Sequence, residues 1–277
     1  MTDRLAVFGN PINHSLSPKI HQMFADAAGI DMSYERVLVP LGQFSETAGR
    51  FFDEGGMGIN ITVPFKGDAF EYVDTLSEGA VQAGAVNTIV RQPSGELKGF
   101  NTDGAGLTRD LQSNLGWRIK GQTILILGAG GAVQGVLASL LAAEPHSIVI
   151  ANRTASKAQA LATKLKDKRV SASPLTELSG SFDLIVSGSS AGLSNASEAI
   201  ALSKTLMNQD TCCYDMIYGK RTEFLKWCED LPANQRADGL GMLVEQAARA
   251  FELWYEVNVD GQSVLNRMRR QQQTNSN

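Results

Sequence analysis

The most apolar run in the chain, Thr123-Ile124-Leu125-Ile126-Leu127, passes directly into Gly128-Ala129-Gly130-Gly131-Ala132 and then into a helical pattern from Val133 to Ala142. A run of β-branched and leucine side chains without polar alternation reads as a strand buried on both faces, which places it in a parallel sheet covered by helices. The glycines permit a tight turn and let backbone N–H groups approach an anion at the helix N-terminus. Two readings are open at this point: a turn needed only for strand–helix packing, or a loop that cradles a dinucleotide pyrophosphate. The strict GxGxxG pattern is not met, since Val133 holds the third glycine position.

The following strand, Ser147-Ile148-Val149-Ile150, narrows the choice. Where an NAD enzyme carries Asp or Glu for the adenosine ribose, this chain reads Ala151-Asn152-Arg153-Thr154, with Lys157 one turn further on. No carboxylate is present, and two cations stand where a 2′-phosphate would need them. Arginine pairs with phosphate through two parallel hydrogen bonds, so the pattern favours NADP over NAD. Standing alone, Arg153 would read as an ordinary surface group.

Strand and helix patterns alternate along the whole chain, which predicts α/β architecture. Strands are expected at Arg4–Phe8, Tyr34–Val39, Met57–Val63, Ala85–Val90, Leu97–Asn101, Leu184–Val186 and Cys212–Tyr214. Helices are expected from Ser17 to Gly29, Ser45 to Asp53, Phe65 to Leu76, Gly104 to Leu115 and Gly239 to Tyr255, with a short one after Asp260. In the first of these, Ser17 is the expected N-cap, Pro18 the first helical residue, and Ile20, Met23, Phe24, Ala27 and Ala28 the core face. The residues from Arg267 to Asn277 read as a frayed tail.

Composition removes several classes of function. With 277 residues, 43% hydrophobic and 19% charged, the chain can bury a large core. A net charge of −4 provides no basic field for nucleic acid or an anionic membrane. No apolar stretch approaches a bilayer span, and Asp3, Arg4 and Gly9-Asn10-Pro11 do not make a signal peptide. Cys212, Cys213 and Cys228 form neither a CxxC pair nor a zinc spacing, which suits reduced thiols of a cytoplasmic protein; no metal site is expected.

Four polar segments lie in the first hundred or so residues. Asn13-His14-Ser15-Leu16-Ser17-Pro18 puts two serines at a helix N-terminus, a place that favours an anion such as a carboxylate; capping explains one serine, not both. In Asn60-Ile61-Thr62-Val63-Pro64-Phe65-Lys66, Asn60 and Thr62 share a strand face, and Lys66 lands in a first helical turn, where a cation is disfavoured. Gly84-Ala85-Val86-Asn87-Thr88 and Gly99-Phe100-Asn101-Thr102-Asp103-Gly104 complete the set, with Asp103 also a natural N-cap. Of the histidines, His14, His21 and His146, only His14 is expected near these segments.

Taken in order, these four segments, the Gly128–Ala132 loop, Asn152-Arg153-Thr154, Asp215-Met216-Ile217-Tyr218 and Gly239-Leu240-Gly241-Met242-Leu243-Val244-Glu245-Gln246-Ala247 resemble the shikimate dehydrogenase family over nearly the whole chain. The resemblance implies two domains, an N-terminal α/β substrate domain and a Rossmann-type NADP-binding domain with a cleft between them. The substrate domain would be residues 1–103, completed by the C-terminal helices 240–277, and the NADP domain 104–239. It implies NADPH-dependent reversible reduction of 3-dehydroshikimate to shikimate, on the route to aromatic amino acids, by a monomer or homodimer. Lys66 and Asp103 match the family's catalytic pair. Ser15 and Ser17 would hold the carboxylate, and Thr62, Lys66, Asn87, Asp103 and Gln246 would meet the ring hydroxyls, with Tyr218 also at the substrate. NADP would be held by Gly128, Ala129, Gly130, Gly131, Ala132, Asn152, Arg153, Thr154, Lys157, Met216 and Gly239. Two loops depart from the family pattern: Ser187-Gly188-Ser189-Ser190, where Asn-Ala-Thr is frequent, and Gly219-Lys220-Arg221-Thr222-Glu223, which is short and lacks proline.

Overall fold

Strand β1 (Asp3–Gly9), buried from Leu5 to Gly9, lies inside the first sheet of the computed structural model, which describes residues 2–188 and 202–275. Around it, in chain order, come α1 (Ser17–Ala28), β2 (Met32–Leu38), α2 (Phe44–Asp53), β3 (Gly56–Ile61), α3 (Lys66–Tyr72), β4 (Thr75–Leu76), α4 (Glu78–Ala83), β5 (Thr88–Arg91) and β6 (Leu97–Phe100). The strands line up as β2-β1-β3-β5-β6-β4. β1 pairs in parallel with β2 and β3, and β5 runs antiparallel to both β3 and β6. Phe8, Phe44, Phe51, Phe52 and Phe65 fill one core on this sheet. Each such ring contributes about 1.5–3 kcal/mol of burial free energy.

Helix α5 (Asp103–Arg109), whose last turn over Asp110–Asn114 is π-helical, leads into β7 (Thr123–Leu127), α6 (Gly131–Ala142), β8 (Ser147–Asn152), α7 (Ala155–Leu165), β9 (Val170–Pro174), β10 (Leu184–Ser187), β11 (Cys212–Asp215), α8 (Glu223–Trp227) and β12 (Arg236–Ala237). This second sheet is parallel throughout, in the order β12-β11-β10-β7-β8-β9. Counted from β7, that is the doubly wound order 3-2-1-4-5-6 seen from the other edge, with its switch point between β7 and β10. The consecutive buried side chains from Ile124 to Leu127 in β7 bear out its unalternating sequence.

Helices α9 (Leu240–Tyr255) and α10 (Gly261–Asn275) close the chain. By compactness, Met1–Leu107 with Leu243–Asn277 forms one unit and Thr108–Met242 the other. Trp254 anchors α9 on the first unit: its indole N–H donates to the Ile89 carbonyl at 3.0 Å, and a Cβ on Gly58 would come within 2.2 Å of that nitrogen. Glycine at position 58 is what lets the indole lie on β3, and this contact fixes the helix that carries Gln246.

Four expectations need correction. Leu16, not Ser17, is the N-cap of α1; Ser17 is already helical. Ala27 and Ala28 are exposed because the last turn of α1 runs beyond the core, while His21 and Ala25 take the buried face with Ile20, Met23 and Phe24. The stretch from Phe65 to Leu76 is not one helix: α3 stops at Tyr72, and Thr75 and Leu76 pair with Lys98 and Gly99 of β6. A long-range pairing overrides the local helical pattern there, and Ser77 then caps α4 by accepting from the Ala80 N–H at 3.3 Å. Within the described residues the tail is helical from Arg267 onward: α10 continues to Asn275 and buries its own Val264, Leu265 and Met268.

Candidate active site

The paired serines sit where β1 hands over to α1. Ser15 Oγ accepts from the Ser17 N–H at 3.3 Å, and Arg36 of β2 grips the Ser15 carbonyl through Nε at 3.0 Å and Nη2 at 2.6 Å. A guanidinium fork fixes this loop more firmly than a single donor would. Ser17 is buried and its side chain lies near the Tyr34 hydroxyl. Thr62 follows β3 and crosses so close to Gly9 that a Cβ there would meet its methyl at 2.5 Å.

Lys66, Asn87, Asp103 and Gln246 come together by hydrogen bonding. Lys66, the first residue of α3, places Nζ 2.5 Å from Asp103 Oδ2. Asp103 opens α5 at the end of the β6 hairpin, and its other oxygen accepts from Asn87 Nδ2 at 2.8 Å. The Asp103 side chain is 9% exposed and that of Lys66 25%, so the carboxylate is held inside while the ammonium reaches outward. Asn87 Oδ1 in turn accepts from the Thr102 N–H at 2.9 Å, and Thr102 Oγ1 lies 3.3 Å from Gln246 Oε1. Ionised partners at these distances make short, strong hydrogen bonds, and the network holds both ends of the carboxylate.

Beneath lies a layer to which sequence reasoning gave no role in the site. Asn60 is buried and bonded to Tyr34, His21, Thr88 and the Asn87 carbonyl. His21, not His14, is the histidine built into the site: it is fully buried, stacked on Tyr34 at 4.4 Å, while His14 is exposed. Burial pushes its imidazole down to about 3, against a smaller upward pull from Asn60. Its place on the face shared with Ile20 and Phe24 was the available signal. Arg36 carried none, because its partner is a backbone carbonyl 21 residues away.

The second group of predicted residues lies at the C-terminal ends of the second sheet's strands, the side on which doubly wound sheets bind ligands. Gly128 turns out of β7 at φ +117°, a conformation that other residues rarely adopt, and its N–H donates to the Ala151 carbonyl at 2.8 Å. Gly130 is the N-cap of α6 without any side-chain cap, and Cβ atoms on Gly130 or Gly131 would point into open space. The helix therefore presents free N–H groups to an open approach, which suits a pyrophosphate. Val133, in the third glycine position, is fully buried; Gly188 makes room for it, since a Cβ there would strike Val133 Cγ2 at 2.5 Å. Asn152 is half-buried and donates to the Thr154 carbonyl, while Arg153, Thr154 and Lys157 are exposed beyond β8. These residues fit an NADP adenosine phosphate by charge and by the lack of any carboxylate.

Met216 and Gly239 meet at the end of β11, where a Cβ on residue 239 would overlap the Met216 carbonyl at 2.2 Å. Tyr218 follows in this second unit, half-buried and outside the Lys66 network, with its phenol pushed above its ordinary range by burial. In the short loop after it, Thr222 caps α8 and also holds Asp215. Of the other departing loop, Ser187 and Gly188 end β10, while Ser189 and Ser190 lie outside the described residues.

A doubly wound sheet with an open glycine loop at its switch point in one unit, and a lysine–carboxylate pair in the other, are the marks of a dinucleotide-dependent oxidoreductase. Models of the shikimate dehydrogenase substrate binding domain, shikimate / quinate 5-dehydrogenase and the shikimate 5′-dehydrogenase C-terminal domain match residues 7–89, 110–209 and 239–260. A shikimate dehydrogenase (NADP(+)) from Cellvibrio japonicus is 50% identical over 274 residues, 98% of each chain. Among solved structures, an Ael1 enzyme from Pseudomonas putida superposes with a TM-score of 0.88 at 41% identity, covering 96% of this chain and 98% of that one. A Thermus thermophilus shikimate 5-dehydrogenase in complex with NADP(H) and shikimate gives 0.84 at 33%, covering 97% and 99%. The chain belongs to the shikimate dehydrogenase family. Among the described residues no helix is long and apolar enough to cross a membrane, and no cluster of His, Cys, Asp or Glu could hold a metal.

Proposed function

We propose that the chain catalyses the reversible reduction of 3-dehydroshikimate to shikimate with NADPH, a step toward the aromatic amino acids. The reading rests on the Lys66–Asp103 pair, and the Cellvibrio and Thermus relatives support it by what their names say they use. When bound, NADPH supplies the hydride. Lys66 Nζ stabilises the charge that develops on the substrate's carbonyl oxygen and gives it a proton; in the reverse direction it takes that proton back. Asp103 aims the ammonium and is itself aimed by Asn87. Ser15 and Ser17 hold the carboxylate, and Thr62, Asn87, Gln246 and Tyr218 meet the ring hydroxyls.

The segment Gly128, Ala129, Gly130, Gly131 and Ala132 would hold the pyrophosphate. Asn152, Arg153, Thr154 and Lys157 would hold the 2′-phosphate, with Met216 and Gly239 completing the contacts. On this reading residues 1–103 with 240–277 are the substrate domain and 104–239 the NADP domain. Three free thiols fit a reducing compartment, so the protein is assigned to the cytoplasm. The assembly is assigned as monomer or homodimer, which sedimentation would separate.

Initial rates with shikimate and quinate, each with NADP and with NAD, test the proposal. Shikimate with NADP should be fastest. A preference for quinate with NAD would overturn it.

A further inference from the structure

We infer that His21 is a positioning residue for the dehydrogenase reaction proposed above: a neutral imidazole, protonated at Nε2, that heads a buried hydrogen-bond chain ending on Asp103. The direction follows from two backbone groups. The Asn87 carbonyl can only accept, so the Asn60 atom facing it at 3.2 Å is the amide nitrogen, and Asn60 Oδ1 faces the other way. That oxygen can only accept as well. It lies 2.7 Å from the Tyr34 hydroxyl and 3.1 Å from His21 Nε2, so the ring nitrogen there carries the hydrogen. At the far end, the Thr102 N–H can only donate, which turns Asn87 Oδ1 toward it and Asn87 Nδ2 toward Asp103.

Thr88 joins the two ends. Its buried hydroxyl accepts from Asn60 Nδ2 at 3.0 Å and donates to Asn87 Oδ1 at 3.0 Å. Four donors therefore point the same way: His21 to Asn60, Asn60 to Thr88, Thr88 to Asn87, and Asn87 to Asp103. Each donor polarises the next, and the last stabilises the carboxylate that holds Lys66. The Tyr34 hydroxyl, which donates to the same Asn60 oxygen, lies near Ser17 of the serine loop.

The ring cannot take a second proton without cost. His21 Nδ1 is buried with no hydrogen-bond partner among the described residues, and the ring is packed between Tyr34, Phe24, Phe251 and Trp254. An imidazolium would bury an unpaired N–H and a charge among aromatic rings. Tyr34, stacked on the ring at 4.4 Å, is a titratable neighbour whose phenol burial keeps protonated.

Two measurements on the full chain decide the matter. Long-range ¹H–¹⁵N correlation of the wild type should show His21 as the Nε2–H tautomer, unchanged from pH 8 to pH 5; an Nδ1–H tautomer, or titration in that range, would overturn the inference. In shikimate oxidation, Thr88→Val and His21→Phe should each lower kcat about tenfold with the KM for NADP unchanged. Thr88→Ser and His21→Gln, which restore a hydroxyl and a donor at the Nε2 position, should recover most of that loss. A Thr88→Val enzyme within about twofold of the wild-type kcat would sink the positioning role. Failure of the wild type itself to oxidise shikimate would refute the proposed function, and the tautomer measurement would still decide the direction of the chain.

Discussion

The two polar regions of this molecule are built on opposite principles. Around Lys66 and Asp103, side chains satisfy one another: each Asp103 oxygen has a donor, and each end of Asn87 is used. Around Gly128 and Arg153, the functional groups are backbone N–H groups facing open space and exposed cations at a strand end. The first arrangement orders its groups before any ligand arrives, so binding costs little reorganisation but a single substitution disturbs several partners. The second keeps its groups at the surface, and its substitutions should act locally and add.

Lys66→Ala probes the ordered region hardest. Turnover should fall by about 10²–10⁴, the range for a lost general acid, while NADPH binding followed by fluorescence stays intact. Near-normal turnover would remove Lys66 from the chemistry. Arg153→Ala probes the open region and should weaken NADP binding about 10–100-fold by loss of charge-assisted hydrogen bonds. Binding of NAD should be nearly unchanged. An equal loss for both cofactors would mean that Arg153 does not distinguish the 2′-phosphate.

The open region was the more legible in the sequence, for a physical reason. Strand, glycine turn, helix and the missing acid after Ile150 are local, contiguous signals, and β7 spans the residues its apolar run marks out. The ordered region depends on partners far apart in sequence, such as Lys66 with Asp103 and Asn87 with Gln246. There the residues drew notice one at a time, and only family resemblance joined them. His21 and Thr88 escaped, because a histidine on an apolar face and a threonine in a strand look like ordinary core. The split of 65–76 escaped for a similar reason, since the pairing of β4 with β6 leaves no trace in local periodicity.

The ordered region should also carry a pH dependence that the exposed cations do not. His21 titrates at about 3 when folded and near 6.5 in a model peptide. Between these values the unfolded chain binds a proton that the folded chain refuses. Its contribution to stability is therefore complete above pH 6.5 and is lost as pH falls, at about 1.4 kcal/mol per pH unit. Urea unfolding of wild type and His21→Gln at pH 7, 6 and 5 should show the wild type losing that much more stability per unit below pH 6. Parallel curves would mean that the ring is not held neutral.

The smallest effect concerns two helix N-termini. At α4 the Ser77 side chain closes the end, whereas at α6 Gly130 leaves it open. Gly130 has φ −86° and ψ −178°, extended backbone that serine adopts without strain, and a Cβ there meets nothing within 4 Å. Gly130→Ser should thus stabilise the protein by a few tenths of a kcal/mol, because the hydroxyl can accept from a free N–H of the first turn. The same hydroxyl would occupy N–H groups and space that a pyrophosphate needs, so the KM for NADP should rise several-fold while the KM for shikimate does not. Ser77→Ala should do the reverse, costing about 1 kcal/mol of stability with both KM values unchanged. If Gly130→Ser gained stability and bound NADP as well as the wild type, the missing cap would be an accident of the loop and not an opening kept for phosphate.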